Sequence, residues 1–275
     1  MFAVRHKQAV CYFLERRSDC FALNFDTHSR LAVGGFSMRR ALWIGLLVTV
    51  GFARPAFADG LVYALPDDGS QVRYDAEIDV TVAGQQVATK GSVTVSSVGQ
   101  ATVDNEKCRW IEFKMIFKEE DQERLTITKV LVPEKHLGPG KSPGDNLIRA
   151  WVKEGDMPAV EIKDLKDPRA LAAAAFLTGP GKNTGELEKV EIDNSKLGKI
   201  SSAGVTGDQE LEGPGGTQLV INLENRLHEK APFGLVNANW KFELKANGQA
   251  VVQGTFKLTL ADINTTALSD LADKN

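Results

Sequence analysis

From Val72 to Val82 the chain alternates without a break: Val72, Tyr74, Ala76, Ile78, Val80 and Val82 are apolar or aromatic, while Arg73, Asp75, Glu77, Asp79 and Thr81 between them are polar. A period of two is the pattern of a strand with one face buried and the other in solvent. At about 36 Å of extended chain this strand is long. Apolar on one face only, it calls for a large curved antiparallel sheet whose concave face must be covered by something.

After Ala83-Gly84-Gln85-Gln86 the phase flips, with Val87, Thr89, Val93 and Val95 on odd numbers. Opposed residues share a face, so even residues must pair with odd ones. A two-residue loop Gly84-Gln85, with Gly84 in the positive-φ position of a type II′ turn, meets that condition and puts Ile78 opposite Gly91. A second hairpin obeys the other parity, since Val236, Ala238, Trp240, Phe242 and Leu244 and then Val252, Phe256, Leu258 and Leu260 are all even. A two-residue turn at Asn247-Gly248 would split these sets between faces. The expectation is therefore a three-residue loop, Ala246-Asn247-Gly248, with Gly248 left-handed and Trp240 covering Gly254. The second strands of the two hairpins read alike, Gln86 to Gly91-Ser92 and Gln249 to Gly254-Thr255.

Residues 109–118, 125–132 and 218–227 read as further strands, with a phase slip after Lys129 that suggests a bulge. Glu119-Glu120-Asp121 with Glu123 lacks the ligand spacing of a calcium loop and reads as a solvated hairpin turn. Two helices are expected in the middle. Leu147, Ile148, Trp151 and Val152 form one helical stripe ending near Gly155; Asp167-Pro168 starts a second helix that Ala170 to Leu177 propagate and Gly179-Pro180 stop. The expected fold is mainly β (α+β): a large curved antiparallel sheet or half-barrel, with two or three short helices covering its concave face.

Charge divides the chain. Residues 1–58 carry eight Arg or Lys against three acids, although the whole chain is at −3. Within that leader Met38-Arg39-Arg40, the apolar run 41–52 and Ala56-Phe57-Ala58 have the order of a secretory signal peptide, cleaved between Ala58 and Asp59. The run is shorter than the roughly 20 residues that span a bilayer. The expectation is a start-site artefact over 1–37, a signal peptide over 38–58 and a single curved-sheet domain over 59–275, exported to the periplasm or beyond the cell. Membrane contact is then limited to the signal peptide before cleavage.

Little here points to chemistry. With Cys11 and Cys20 in the leader, Cys108 stands alone in an alternating segment and reads as a small buried hydrophobe. Gly140-Lys141-Ser142-Pro143-Gly144 matches a serine-hydrolase elbow by spacing, but Pro143 has no N–H for the oxyanion hole. His136 and His228 belong to no metal-spaced cluster. Asn264-Thr265-Thr266 is a sequon by pattern and a capping sequence by chemistry. No catalytic residue, metal site or cofactor is expected, and the charge gives no case for nucleic acid.

The stretch Ala231-Pro232-Phe233-Gly234-Leu235-Val236, followed by a long Trp-containing strand and a return strand, resembles the C-terminal part of LolA-like bacterial exported domains, the lipoprotein-carrier type. That resemblance implies a curved antiparallel half-barrel with helices in its hollow, and a role as acyl-chain carrier or envelope chaperone. The function expected is thus that of a non-enzymatic envelope protein holding an apolar or acyl ligand on its concave face. Residues on the inward sets, Tyr74, Ile78, Phe113, Phe117, Trp240 and Phe242, would line the site. The alternative is an envelope structural or protein-interaction domain in which the stretch from Ala172 to Phe176 plugs the sheet; a hydrolase is a distant third.

Overall fold

A computed structural model of the chain describes residues 60–271, apart from 83, 120–121, 139–140, 142, 164–175, 178, 180 and 213–216. Among these, eleven strands form one antiparallel sheet. In chain order they are β1 (Gln71–Val82), β2 (Gln85–Val103), β3 (Glu106–Glu119), β4 (Gln122–Pro133), β5 (Arg149–Glu154), β6 (Val160–Ile162), β7 (Lys182–Asn194), β8 (Gly198–Glu212), β9 (Thr217–Leu227), β10 (Leu235–Ala246) and β11 (Gln249–Asn264). The spatial order is β6-β5-β4-β3-β2-β1-β11-β10-β9-β8-β7, two meanders joined at their outer ends in sequence by the β1–β11 pair. The sheet is unclosed, with β6 and β7 at its edges.

Both hairpin expectations need correction. In the first, Val82 pairs with Gln85, so the loop is 83–84, with Gly84 at φ 81°; Ile78 lies opposite Thr89, and Gly91 opposite Ala76. The parity argument fixed only the sum of paired numbers as odd, and sliding the loop by one residue keeps it odd. In the second, Ala246 pairs with Gln249 across a two-residue turn, with Asn247 at φ 52° and Gly248 at φ 77°, the backbone of a type I′ turn. The faces are restored by a bulge beyond the turn, where Lys245 pairs with Ala250 and Leu244 with Val252. The extra residue that parity requires sits in the strand, not in the loop. Gly254 then opposes Phe242, and Trp240 opposes Phe256.

The expected helical cover is also corrected. Residues 149–154 are strand β5, hydrogen-bonded to the free edge of β4, with Ala150 and Val152 buried and Arg149 exposed. Pairing with that edge satisfies every second backbone group and outweighs the weak helical periodicity of the stripe. Of the second expected helix only Phe176 and Leu177 lie within the described residues, where they are helical. The bounded helical elements among the described residues are two 3-10 turns, Glu134–His136 and Pro143–Asn146.

The bulge expected after Lys129 is absent: β3 and β4 pair continuously from Cys108–Pro133 to Glu119–Gln122. The sequence loses its alternation there because both faces of β4 are buried. Residues 265–271 cross the outer face as a strap. Glu112 accepts hydrogen bonds from Ser269 Oγ at 2.7 Å and from the Asp270 N–H at 3.1 Å, and Lys114 pairs with Asp270 at 2.8 Å. Beneath the strap Ile127, Lys129 and Leu131 are all but inaccessible, and the Lys129 ammonium lies 4.9 Å from the centre of the Trp110 ring.

Candidate functional site

Tyr74 and Ile78 on β1, Phe113 and Phe117 on β3, and Trp240 and Phe242 on β10 all belong to one continuous apolar cluster on one face of the sheet. Register brings them together: Ile78 pairs with Phe256, Phe256 with Trp240, and Trp240 with Leu223. A flat sheet would hold β3 and β10 about 19 Å apart, four strand spacings. Yet the ring of Phe176 lies 6.2 Å from Phe113 and 6.0 Å from Trp240. The aromatic side chains of distant strands converge on it, which identifies this face as the hollow of a curved sheet. Phe256 completes the group, 5.5 Å from Trp240, 6.2 Å from Phe176 and 6.5 Å from Phe117.

Two glycines let the rings sit low on the sheet. A Cβ at Gly91 would stand 2.6 Å from the Phe117 ring, and one at Gly254 would stand 2.8 Å from the ring of Phe242. The similar stretches around Gly91 and Gly254 thus serve the same end, each glycine lying under an aromatic ring from the strand beside it.

The cover over the hollow comes from three pieces of chain. Phe176 enters it directly, and the Phe176 carbonyl accepts from the Leu61 N–H at 2.8 Å. Leu61 and Val62 are fully buried alongside, and Tyr63 hangs from the Phe233 carbonyl at 2.9 Å while its ring packs on Gly234, which has φ 83°. The Ala231–Val236 stretch is therefore the seat of the segment that leads into β1. Arg109, with a side chain 7% exposed, ties that segment down: its guanidinium donates to the Pro66 carbonyl at 3.1 Å, to Ser97 Oγ at 2.8 Å and to Glu134. The tip of the β7–β8 hairpin reaches across to β11, where Asn194 Nδ2 donates to the Leu260 carbonyl at 2.9 Å and Lys196 pairs with Asp262 at 2.8 Å.

Polar groups in the apolar cluster are mostly satisfied. The Tyr74 hydroxyl donates to the Leu235 carbonyl at 3.1 Å, and burial pushes its phenol far above the usual range. Trp240 Nε1 donates to Asn225 Oδ1 at 2.8 Å, and Ser202 Oγ to the Leu227 carbonyl at 3.0 Å. Gln209, 3% exposed, is different: neither its Nε2 nor its Oε1 has a partner.

Phe256, Phe176 and Gln209 extend the site beyond the six residues named from sequence. Phe256 was already marked by its place in the even set of β11. Gln209 carried no such mark, because its neighbours Asp208 and Glu210 read as a polar run.

Other residues singled out from sequence lie elsewhere. Cys108 is fully buried, with its sulfur 3.4 Å from the Glu106 carbonyl. His228 Nδ1 accepts from the Lys230 N–H at 3.1 Å within the turn. Asn264 Oδ1 accepts from the N–H groups of Thr265 and Thr266, a local turn cap with no helix behind it. Ala58, Asp59, Gly140 and Ser142 lie outside the described residues. A cavity of about 530 Å³ lies against the opposite, polar face, lined by Asp79, Asn222, Lys241, Glu243, Gln253 and Thr255 among others.

No protein-family model matches the chain, and no curated protein does. Solved structures similar to it include DynF from the dynemicin biosynthesis pathway of Micromonospora chersina, at 14% identity and TM-score 0.26, covering 81% of this chain and 97% of that one. They also include a domain described as an outer membrane lipoprotein-sorting protein from Vibrio parahaemolyticus, at 10% identity and TM-score 0.24, covering 74% and 89%. A third is a beta-barrel-like protein of a domain of unknown function from Brucella abortus, at 11% identity and TM-score 0.22, covering 73% and 97%. At these scores the likenesses carry no argument about function.

Proposed function

We propose that the chain is a non-enzymatic envelope protein, exported and cleaved between Ala58 and Asp59, whose single domain over 59–275 holds an apolar or acyl chain in the hollow of its sheet. The observation that carries this reading is the convergence of Phe113, Trp240 and Phe256 from separate strands onto one ring, that of Phe176, with Phe117 packed behind Phe256. Phe176 belongs to no strand and enters the hollow by its side chain, so its ring is the part of the cover that a ligand would displace. An acyl chain is of the right shape and polarity to replace it, since a ligand pocket is typically apolar with few polar groups. Its partners are then the ligand and the envelope protein that delivers or receives it, and nucleic acid has no part.

The same packing supports a second reading, an envelope structural or interaction domain with a self-filled core, because Phe176 makes contacts expected of an ordinary core residue. Titration with a fluorescent fatty acid separates the two. The carrier reading expects saturable binding, weakened by Trp240→Ala and strengthened by Phe176→Ala, which removes the competing ring. The self-filled reading expects no saturable binding up to high micromolar and, for Phe176→Ala, only a loss of about 3 kcal/mol of stability.

A further inference from the structure

We propose that Gln209 is a head-group contact in the hollow, selecting uncharged single-chain amphiphiles whose head both donates and accepts a hydrogen bond; this rests on the acyl-binding reading above.

Gln209 pairs with Ile221, which pairs with Phe242, so register places it on the face that carries the aromatic group, two strands from Phe242. It is 3% exposed, and both polar atoms of its side chain are without a partner. Tyr74, Asn225 and Trp240, polar side chains buried on this face, each make a hydrogen bond. Burying an amide unpaired costs on the order of 1 to 3 kcal/mol for each group, and a folded protein rarely leaves both ends of one amide so. A leucine or methionine at this position of the hollow would avoid that cost. The amide is accounted for if something outside the chain completes it.

The kind of head follows from what is missing. An Nε2 without an acceptor and an Oε1 without a donor are both met by one group that has a donor beside an acceptor, such as a primary amide or a hydroxyl. The residues that register sets nearest on this face, Gly207, Ile221, Leu223 and Phe242, bring no charge. A carboxylate there would be buried without a counter-ion and strongly disfavoured. The fatty-acid probe that tests the carrier reading is therefore not the best ligand; a neutral head is.

The test is competition for bound Nile red on the full chain, with dodecanamide, dodecanol and dodecanoate at pH 8, using wild type, Gln209→Leu and Gln209→Met. The wild type is expected to bind dodecanamide and dodecanol more tightly than dodecanoate, whose charge the hollow excludes. Both variants are expected to bind dodecanamide and dodecanol about tenfold more weakly, the size of one well-made buried hydrogen bond, with dodecanoate still excluded. Equal affinity for amide and carboxylate in the wild type, or an unchanged affinity for dodecanamide in a folded variant, overturns the role of Gln209 and leaves acyl binding standing. If none of the three displaces the dye, and the dye itself does not bind saturably, both readings fall together. Should Gln209→Leu not fold, Gln209→Met carries the comparison.

Discussion

Tyr74 shows how far a single side chain can be committed to the fold. Its hydroxyl is buried on the Leu235 carbonyl, and burial holds its phenol well above the ordinary value. In the unfolded chain the phenol gives up its proton near pH 10, whereas the folded protein keeps it. The folded state then binds the extra proton, so stability is complete below about pH 10 and falls as the pH rises further, by up to about 1.4 kcal/mol per unit. Guanidinium unfolding between pH 9 and 11.5 should show this alkaline slope in wild type and a shallower one in Tyr74→Phe. Parallel profiles would remove Tyr74 from the account. Tyr74, Ile78 and the four aromatics of the site were legible because each sits in an unbroken period of two. Gln209 was not: a period names the face, and on β8 that period is broken by Gly204 and Gly207, so nothing in the residues distinguished a buried glutamine from an exposed one.

At the scale of elements, the long strands were readable and their turns only partly so. Parity fixed that the β10–β11 hairpin holds one residue more than a simple two-residue turn allows, but a bulge and a longer loop satisfy parity equally. The positive φ at Asn247, which the Asn tolerates, decided for the bulge. β7 and β8 escaped notice for a different reason. β7 is an edge strand exposed along nearly its whole length, so it has no buried face to imprint an alternation. Conversely β4 lost its alternation by having two buried faces. Gly248 offers a clean test of the turn: it lies at φ 77°, and a Cβ there would meet nothing within 4 Å. Gly248→Ala should cost about 1 kcal/mol, from the backbone alone. Gly254→Ala, where the Cβ would stand 2.3 Å from the Asp79 carbonyl oxygen, should cost at least 2 to 3 kcal/mol, from overpacking. Chemical denaturation of both would rank the two causes, and equal losses would contradict the register described for β1, β10 and β11.

For the molecule as a whole, the strap over β3 and β4 and the cover over the hollow put chain on both faces of one sheet. Ending the chain after Ala267 should remove Leu271 from its site and take the partners Ser269 and Asp270 from Glu112. A loss of about 3 kcal/mol or more is expected, read as a lower guanidinium midpoint. Amide exchange should quicken in β3 and β4 before it does in β9 and β10; uniform quickening would mean that the strap stabilises only globally. The order of the strands has a further effect, on the timing of assembly. The middle of the sheet is the pair of its first and last strands, where Ile78 meets Phe256. Each meander can form from neighbouring strands as it is made, but the seam between them requires a contact spanning most of the domain, and such contacts are slow to form. Until β11 is present the aromatic face has only half its wall. A chain wired in this way completes its fold last at the centre of the sheet, and the hollow takes shape only when both meanders are whole.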